Sequence, residues 1–169
     1  REKVVHAREQ GGCGLSQLLA VYMGCLSSST PPDRYDMSAA IGFVPVGSLI
    51  HADVRDNATT RRGIQAAHTV YTPTVAILGG DVMLAHAAGM VARIGDQFIS
   101  MPFAEALAKT AVGEINEFKY LSDANLSHEK SLHVLTAQTA WCPEVACELP
   151  AYAAGPAGEQ VKAPGALTR

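Results

Sequence analysis

Apolar residues recur along this chain at three- to five-residue steps, interrupted by clusters of Pro, Gly and Ser. That pattern predicts a run of antiparallel helices. Residues 15–26 are apolar at most positions and end in Ser27-Ser28-Ser29-Thr30-Pro31-Pro32, a strong breaker. A second helix is predicted over residues 37–56, with Pro45 expected to kink it or end a turn because proline removes a backbone donor. Residues 57–67 are polar with a glycine and read as a loop. The third helix spans 75–94 and stops at Gly95-Asp96. A fourth, over 102–121, carries Phe103, Leu107, Val112, Ile115 and Phe118. The fifth opens on Ser127 as N-cap and runs through Leu132, Val134, Leu135 and Trp141, with Pro143 and Pro150 disturbing its far end.

The fold class is therefore all-α. Length changes the picture only by limiting it to one core, a domain over residues 1–154 followed by a Pro-, Gly- and Ala-rich flexible tail over 155–169. With 48% hydrophobic and 17% charged residues the chain is globular, and aromatics at 6% favour closely packed helices over an aromatic-rich sheet. A net charge of -3 leaves no basic face for nucleic acid and no polybasic membrane patch. No run of 18 apolar residues is evident; residues 75–94 come nearest, but Asp81, His86 and Arg93 mark them as a core helix. The first residues lack an apolar signal core and an initiator Met, which suggests an excised or incomplete product and a cytoplasmic location. Cys13, Cys25, Cys142 and Cys147 match no zinc spacing and read as buried reduced thiols.

The chemistry concentrates in Ser48-Leu49-Ile50-His51-Ala52-Asp53-Val54-Arg55-Asp56-Asn57-Ala58-Thr59-Thr60-Arg61-Arg62-Gly63. Asp53 and Asp56 supply carboxylates of the kind that collect divalent metal, and Arg61-Arg62 supply planar guanidinium forks that grip phosphate oxygens. Together they suggest a site for a metal-bridged diphosphate. The bland alternatives are two solvated carboxylates near a helix end, a hydrogen-bonded core histidine at His51, and a buried, hydrogen-bonded structural acid at Asp81. Glu114 and Glu117 default to a solvated helix face.

The run resembles the first aspartate-rich motif of the trans-polyprenyl diphosphate synthases, which usually reads H-D-D-x-x-D-x-x-x-x-R-R-G. Ala76-Ile77-Leu78-Gly79-Gly80-Asp81, Gly113-Glu114, Leu126-Ser127, Gln138-Thr139-Ala140 and Ala146-Cys147-Glu148-Leu149 resemble successive later elements of that family. The resemblance implies a partial isoprenoid-synthase fold, about half of an all-helical enzyme around a central cavity. Such enzymes join isopentenyl diphosphate to an allylic diphosphate, with Mg2+ on the aspartate-rich motifs helping the allylic diphosphate to ionise. Carried over, Asp53 and Asp56 become the catalytic and metal-binding residues, with Arg61 and Arg62 binding the substrate diphosphate.

The chain departs from the family pattern at several points. Ala52 replaces the first aspartate, and positions 52 and 56 lie about 40° apart on a helix whereas 53 is turned by about 100° from 52. The isopentenyl-binding stretch aligns with Gly11-Gly12-Cys13-Gly14-Leu15-Ser16-Gln17, which carries no cation. A family His aligns with Pro45, a Lys with Gln138 and a Gln with Glu117, and the second aspartate-rich motif lies in the half of the fold that this chain lacks. These losses imply a truncated synthase, weak or inactive alone. The alternative is a non-catalytic partner subunit of a heteromeric synthase, and either implies a homo- or hetero-oligomer. A helical His-Asp phosphohydrolase is a weaker third reading, because Ala52 separates His51 from Asp53. Small Val46 and Gly47 ahead of the motif imply a longer product in an active relative.

Overall fold

The computed structural model describes residues 31–120 and 125–152, together with Leu18, Ala20, Val21, Tyr22 and Cys25, which are helical. The rest of the helix expected over 15–26, the cation-free stretch at 11–17 and the tail expected over 155–169 lie outside the described residues.

Helix α1 (Pro31–Arg55) begins on two prolines, tolerated where backbone N–H groups have no intrahelical acceptor. It runs unbroken through Pro45. An internal proline costs about 3 kcal/mol, but burying a large aliphatic side chain returns about 1.5–3 kcal/mol. Ile41, Val44, Val46 and Ile50 are all buried around Pro45, so packing overrides the local penalty. The helix closes on a Schellman motif. Asn57 takes a left-handed φ of 51°, its N–H donates to Val54 O (3.4 Å), and Ala58 N–H donates to Asp53 O (3.0 Å).

The segment expected as a loop instead forms a small hairpin. Strand β1 (Thr60–Arg61) pairs antiparallel with β2 (Ile64–Gln65), Arg61 opposite Ile64. Arg62 and Gly63 join them with φ of 53° and 80°, and two consecutive positive φ values define the tight turn that matches strand twist. Sequence pattern missed it because strands of two residues have no readable period. A single helical turn, α2 (Ala67–Val70), follows.

Helix α3 (Pro73–Ile94) has the expected end at left-handed Gly95 (φ 74°), with Thr72 Oγ1 accepting from Val75 N–H (3.2 Å) at its start. It lies antiparallel to α1. Asp36 meets Arg93, Gly47 meets Gly80 and His51 meets Ile77, so partners descend as α1 ascends. Gly47 and Gly80 make this approach close. A Cβ on Gly80 would sit 2.4 Å from His51 Nε2, and one on Gly47 would sit 3.1 Å from Gly80 O. By length and composition, residues 35–55 and α3 are each apolar enough to cross a membrane, a test that core helices also pass. Here they pack on one another.

Helix α4 (Gln97–Tyr120) starts five residues before the expected Pro102, which lies inside it, and Asp96 Oδ1 caps the N–H of Phe98 (2.8 Å) at its start. Helix α5 (His128–Thr139) opens on Ser127, whose hydroxyl accepts from Lys130 N–H as expected. The chain then turns at Ala140 into a separate helix, α6 (Trp141–Tyr152). Pro143 is its third residue, where no intrahelical donor is required.

The main core joins Met37, Ile41 and Val44 of α1, Ala87 and Val91 of α3, Ile99 and Phe103 of α4, and Trp141, Val145 and Leu149 of α6. Among the described residues Cys142 is buried, Cys147 half-buried and Cys25 exposed, so the expectation of buried thiols holds at Cys142 and fails at Cys25; Cys13 lies outside the described residues. Much apolar surface remains outside the core, including Leu78 and Val82 on α3, Phe98, Met101, Val112, Ile115 and Phe118 on α4, and Leu132 and Leu135 on α5.

Candidate active site

A cavity of about 420 Å³ opens between α1, α3 and α4. Its wall takes Ser48, Ala52 and Arg55 from α1, positions that recur on one face at helical spacing. Leu84 comes from α3, and Leu107, Thr110, Ala111, Glu114 and Ile115 come from α4. The floor is thus aliphatic. Polar groups gather toward the end where α1 meets Glu114. Thr110 adds little polarity, since its hydroxyl donates to Ala106 O (2.9 Å) within its own helix.

Ala52 faces this cavity, and Asp53, one residue on, turns into the protein. Asp53 is only 1% exposed, so it is not a solvated carboxylate. Arg61 reaches it across the hairpin, with Nε donating to Oδ1 at 2.7 Å and Nη2 lying 2.6 Å from the same oxygen. Oδ2 of Asp53 and Nδ1 of His68 are buried without a hydrogen-bond partner among the described residues. Arg62 is exposed in the turn and forms no ion pair among the described residues.

Asp56 lies at the exposed end of α1. Arg55 donates to both its oxygens, Nε to Oδ1 at 2.8 Å and Nη2 to Oδ2 at 3.3 Å. The bond from Arg55, with the charges of Arg55 and Arg61, holds the Asp56 carboxyl below its usual range against a smaller opposing effect of burial. The Arg55 guanidinium is correspondingly held charged, chiefly by its bond to Asp56 and further by Glu114. Arg55 also bonds Glu114 through Nη1 and Glu117 through Nη2 (3.3 Å), while Gln138 Nε2 donates to Glu117 Oε2 at 2.8 Å. Glu114 and Glu117 therefore form part of a charged network and not a plain solvated face. Sequence reasoning passed over Arg55, although an arginine between two motif aspartates and a glutamate at the family's glutamine position were both visible signals.

His51 is hydrogen-bonded, its Nε2 3.0 Å from Ile77 O and 3.4 Å from Asp81 Oδ1, but it is not the expected core residue: its side chain is 33% exposed and lines the cavity. Asp81 itself is not buried; its side chain is 57% exposed. It follows Gly80, which faces α1, and a helical step of about 100° carries it out of the contact.

Asp53, Asp56, Arg61 and Arg62 are thus brought to one end of α1, yet none lines the cavity. Ala52 offers no oxygen, Asp53 Oδ1 is taken by Arg61, and both Asp56 oxygens are taken by Arg55. Among the described residues no group of three or more His, Cys, Asp or Glu is placed to hold a metal ion. As arranged, these side chains do not fit a Mg2+ site, which needs near-octahedral oxygen ligation.

The sequence matches the Polyprenyl synthetase family over residues 3–168. It is 33% identical over 164 residues to a nonaprenyl diphosphate synthase of Mycobacterium tuberculosis, covering 95% of this chain and 48% of that protein. Among solved structures, a Caulobacter crescentus polyprenyl synthase complexed with calcium and isoprenyl diphosphate superposes with a TM-score of 0.85. It shares 28% identity over 93% of this chain and 50% of that one. A decaprenyl diphosphate synthase from Rhodobacter capsulatus gives a TM-score of 0.89 at 25% identity, over 95% of this chain and 50% of that one. The chain spans about half the length of the relatives it matches. The helical frame, the cavity beside the aspartate-bearing end of α1, and a family match running almost end to end agree: this chain belongs to the polyprenyl synthetase family.

Proposed function

We propose that the chain contributes half of a polyprenyl diphosphate synthase cavity and takes part in transfer of an allylic prenyl group to isopentenyl diphosphate. The observation that carries this reading is the aliphatic cavity whose wall includes Ala52 and Arg55 of the aspartate-rich motif. An apolar floor of Leu84, Leu107, Ala111 and Ile115 suits a prenyl chain and excludes water from a developing carbocation. Arg62, aided by Arg61, would neutralise the diphosphate, and a charge-assisted contact of this kind contributes about 1.5–3 kcal/mol. Asp53 orients Arg61 through their ion pair. Asp56 keeps its proposed place at the diphosphate end, with both oxygens bonded to Arg55.

The position of Ala52 makes the chain a weak catalyst alone, since the carboxylate that would face the cavity is missing. The test is incorporation of labelled isopentenyl diphosphate with an allylic primer, paired with thermal shift on a non-ionisable allylic thiolodiphosphate. The expected result is a thermal shift that Arg62→Ala abolishes, with prenyl transfer at the limit of detection. Absence of any shift in the folded wild-type chain overturns the proposal.

A second reading, a non-catalytic subunit of a heteromeric synthase acting in the cytoplasm, is favoured by the apolar side chains exposed on α3, α4 and α5. Mixing with a complete synthase should then yield a hetero-oligomer by size exclusion, and separate elution rejects it.

A further inference from the structure

One guanidinium at the cavity mouth holds three carboxylates from two helices. Arg55 bonds Asp56 beside it on α1 and both Glu114 and Glu117 on α4, and Gln138 of α5 supplies a further donor to Glu117. Converging carboxylates repel one another unless a cation lies among them. Here it is covalently part of the chain, planar and always charged, with donors enough to satisfy several acceptors at once.

Three positions fit together in this arrangement. Ala52, which lines the same cavity, removes the carboxylate that would share a metal with Asp56. Glu117 places a carboxylate on the opposite helix, within reach of Arg55. Arg55 supplies the positive charge between them. Asp53 cannot substitute, because it is buried beneath Arg61.

We infer that Arg55 is the resident cation of this cluster: it ties Asp56, Glu114 and Glu117 to one guanidinium and leaves their paired oxygens closed to a divalent ion. The inference does not rest on prenyl transfer, and its test contains metal and protein alone. Mn2+ is titrated into the full chain by electron paramagnetic resonance, with helicity checked by circular dichroism. Wild type and Arg55→Lys, which keep the charge, should leave Mn2+ unbound. Arg55→Ala and the milder Arg55→Gln should each bind it about tenfold more tightly or better, since three carboxylates then lack a cation. Adding Glu114→Gln and Glu117→Gln to Arg55→Gln should abolish that gain. Wild-type binding as tight as that of Arg55→Gln overturns the inference, as does a folded Arg55→Gln chain with no gain. Should Arg55→Ala and Arg55→Gln both unfold, their refolding by Mn2+ supports it and failure to refold rejects it.

Discussion

Arg61 Nε and Nη2 both converge on Oδ1 of Asp53, at 2.7 and 2.6 Å, so the first arginine of the motif is tied to a carboxylate eight residues before it. Asp53 is 1% exposed and Arg61 29% exposed, which makes this a pair shielded on the acid side and wet on the other. The pair fastens the hairpin to the end of α1 and leaves Arg62 as the outward guanidinium.

Removing Arg61 should therefore cost stability out of proportion to a surface charge. Breaking a buried pair leaves an uncompensated carboxylate, so Arg61→Ala should lose about 3 kcal/mol by urea denaturation. Combining Asp53→Asn with Arg61→Gln should recover much of that loss. A cost below about 0.5 kcal/mol, typical of exposed pairs, contradicts the geometry.

Gly80 is predicted to resist any side chain. A Cβ there would stand 2.4 Å from His51 Nε2 and 3.1 Å from Gly47 O, so Gly80→Ala must displace the imidazole from Ile77 O. Overpacking of this kind costs about 1–3 kcal/mol. In a His51→Ala background the penalty should shrink, and the double-mutant cycle measures that coupling.

Two carboxyls should give opposite pH signatures. Asp56 is held below its ordinary 3.8 by Arg55, so its contribution to stability is present above that value and fades as pH falls through the folded value. Carboxyl NMR titration should show it returning toward its ordinary range in Arg55→Ala. Glu148 is pushed above 4.5, chiefly by burial and then by Glu144. It binds its proton more tightly in the fold, so stability declines as pH rises from 4.5 through the folded value. Glu148→Gln should remove that decline from urea midpoints.

The turn at Arg62 separates folding from binding. Arg62 holds a φ of 53°, a conformation costing a non-glycine residue about 1–2 kcal/mol but well tolerated by Asn. Arg62→Asn should therefore keep or slightly raise the melting temperature while lowering affinity for an allylic thiolodiphosphate. A lowered melting temperature would mean that Arg62 serves the fold.

Ser127 provides a simpler check on the helix boundaries. Its hydroxyl accepts from Lys130 N–H at 3.3 Å, and Ser127→Ala should cost about 1 kcal/mol in chemical denaturation.

Sequence by itself determined the all-helical class, the end of α3 at Gly95, the start of α5 at Ser127 and the run that bears the carboxylates and arginines. Each of these rests on local chemistry: a left-handed glycine, a hydroxyl acceptor, a period of 3.6, or residue types met within one motif. Tertiary structure decided the rest. Pro45 stays inside α1 because burial around it outweighs a lost hydrogen bond, and Asp81 is exposed because Gly80, not its neighbour, meets α1. The hairpin at 60–65 depends on an ion pair between Arg61 and a helix eight residues back, beyond the reach of a two-residue period. Most consequentially, Arg55 reads in sequence as a filler between two aspartates, and only the approach of α4 brings Glu114 and Glu117 to it. A cluster assembled from residues some sixty positions apart is set by helix packing, and local pattern carries no information about which carboxylates a guanidinium will meet.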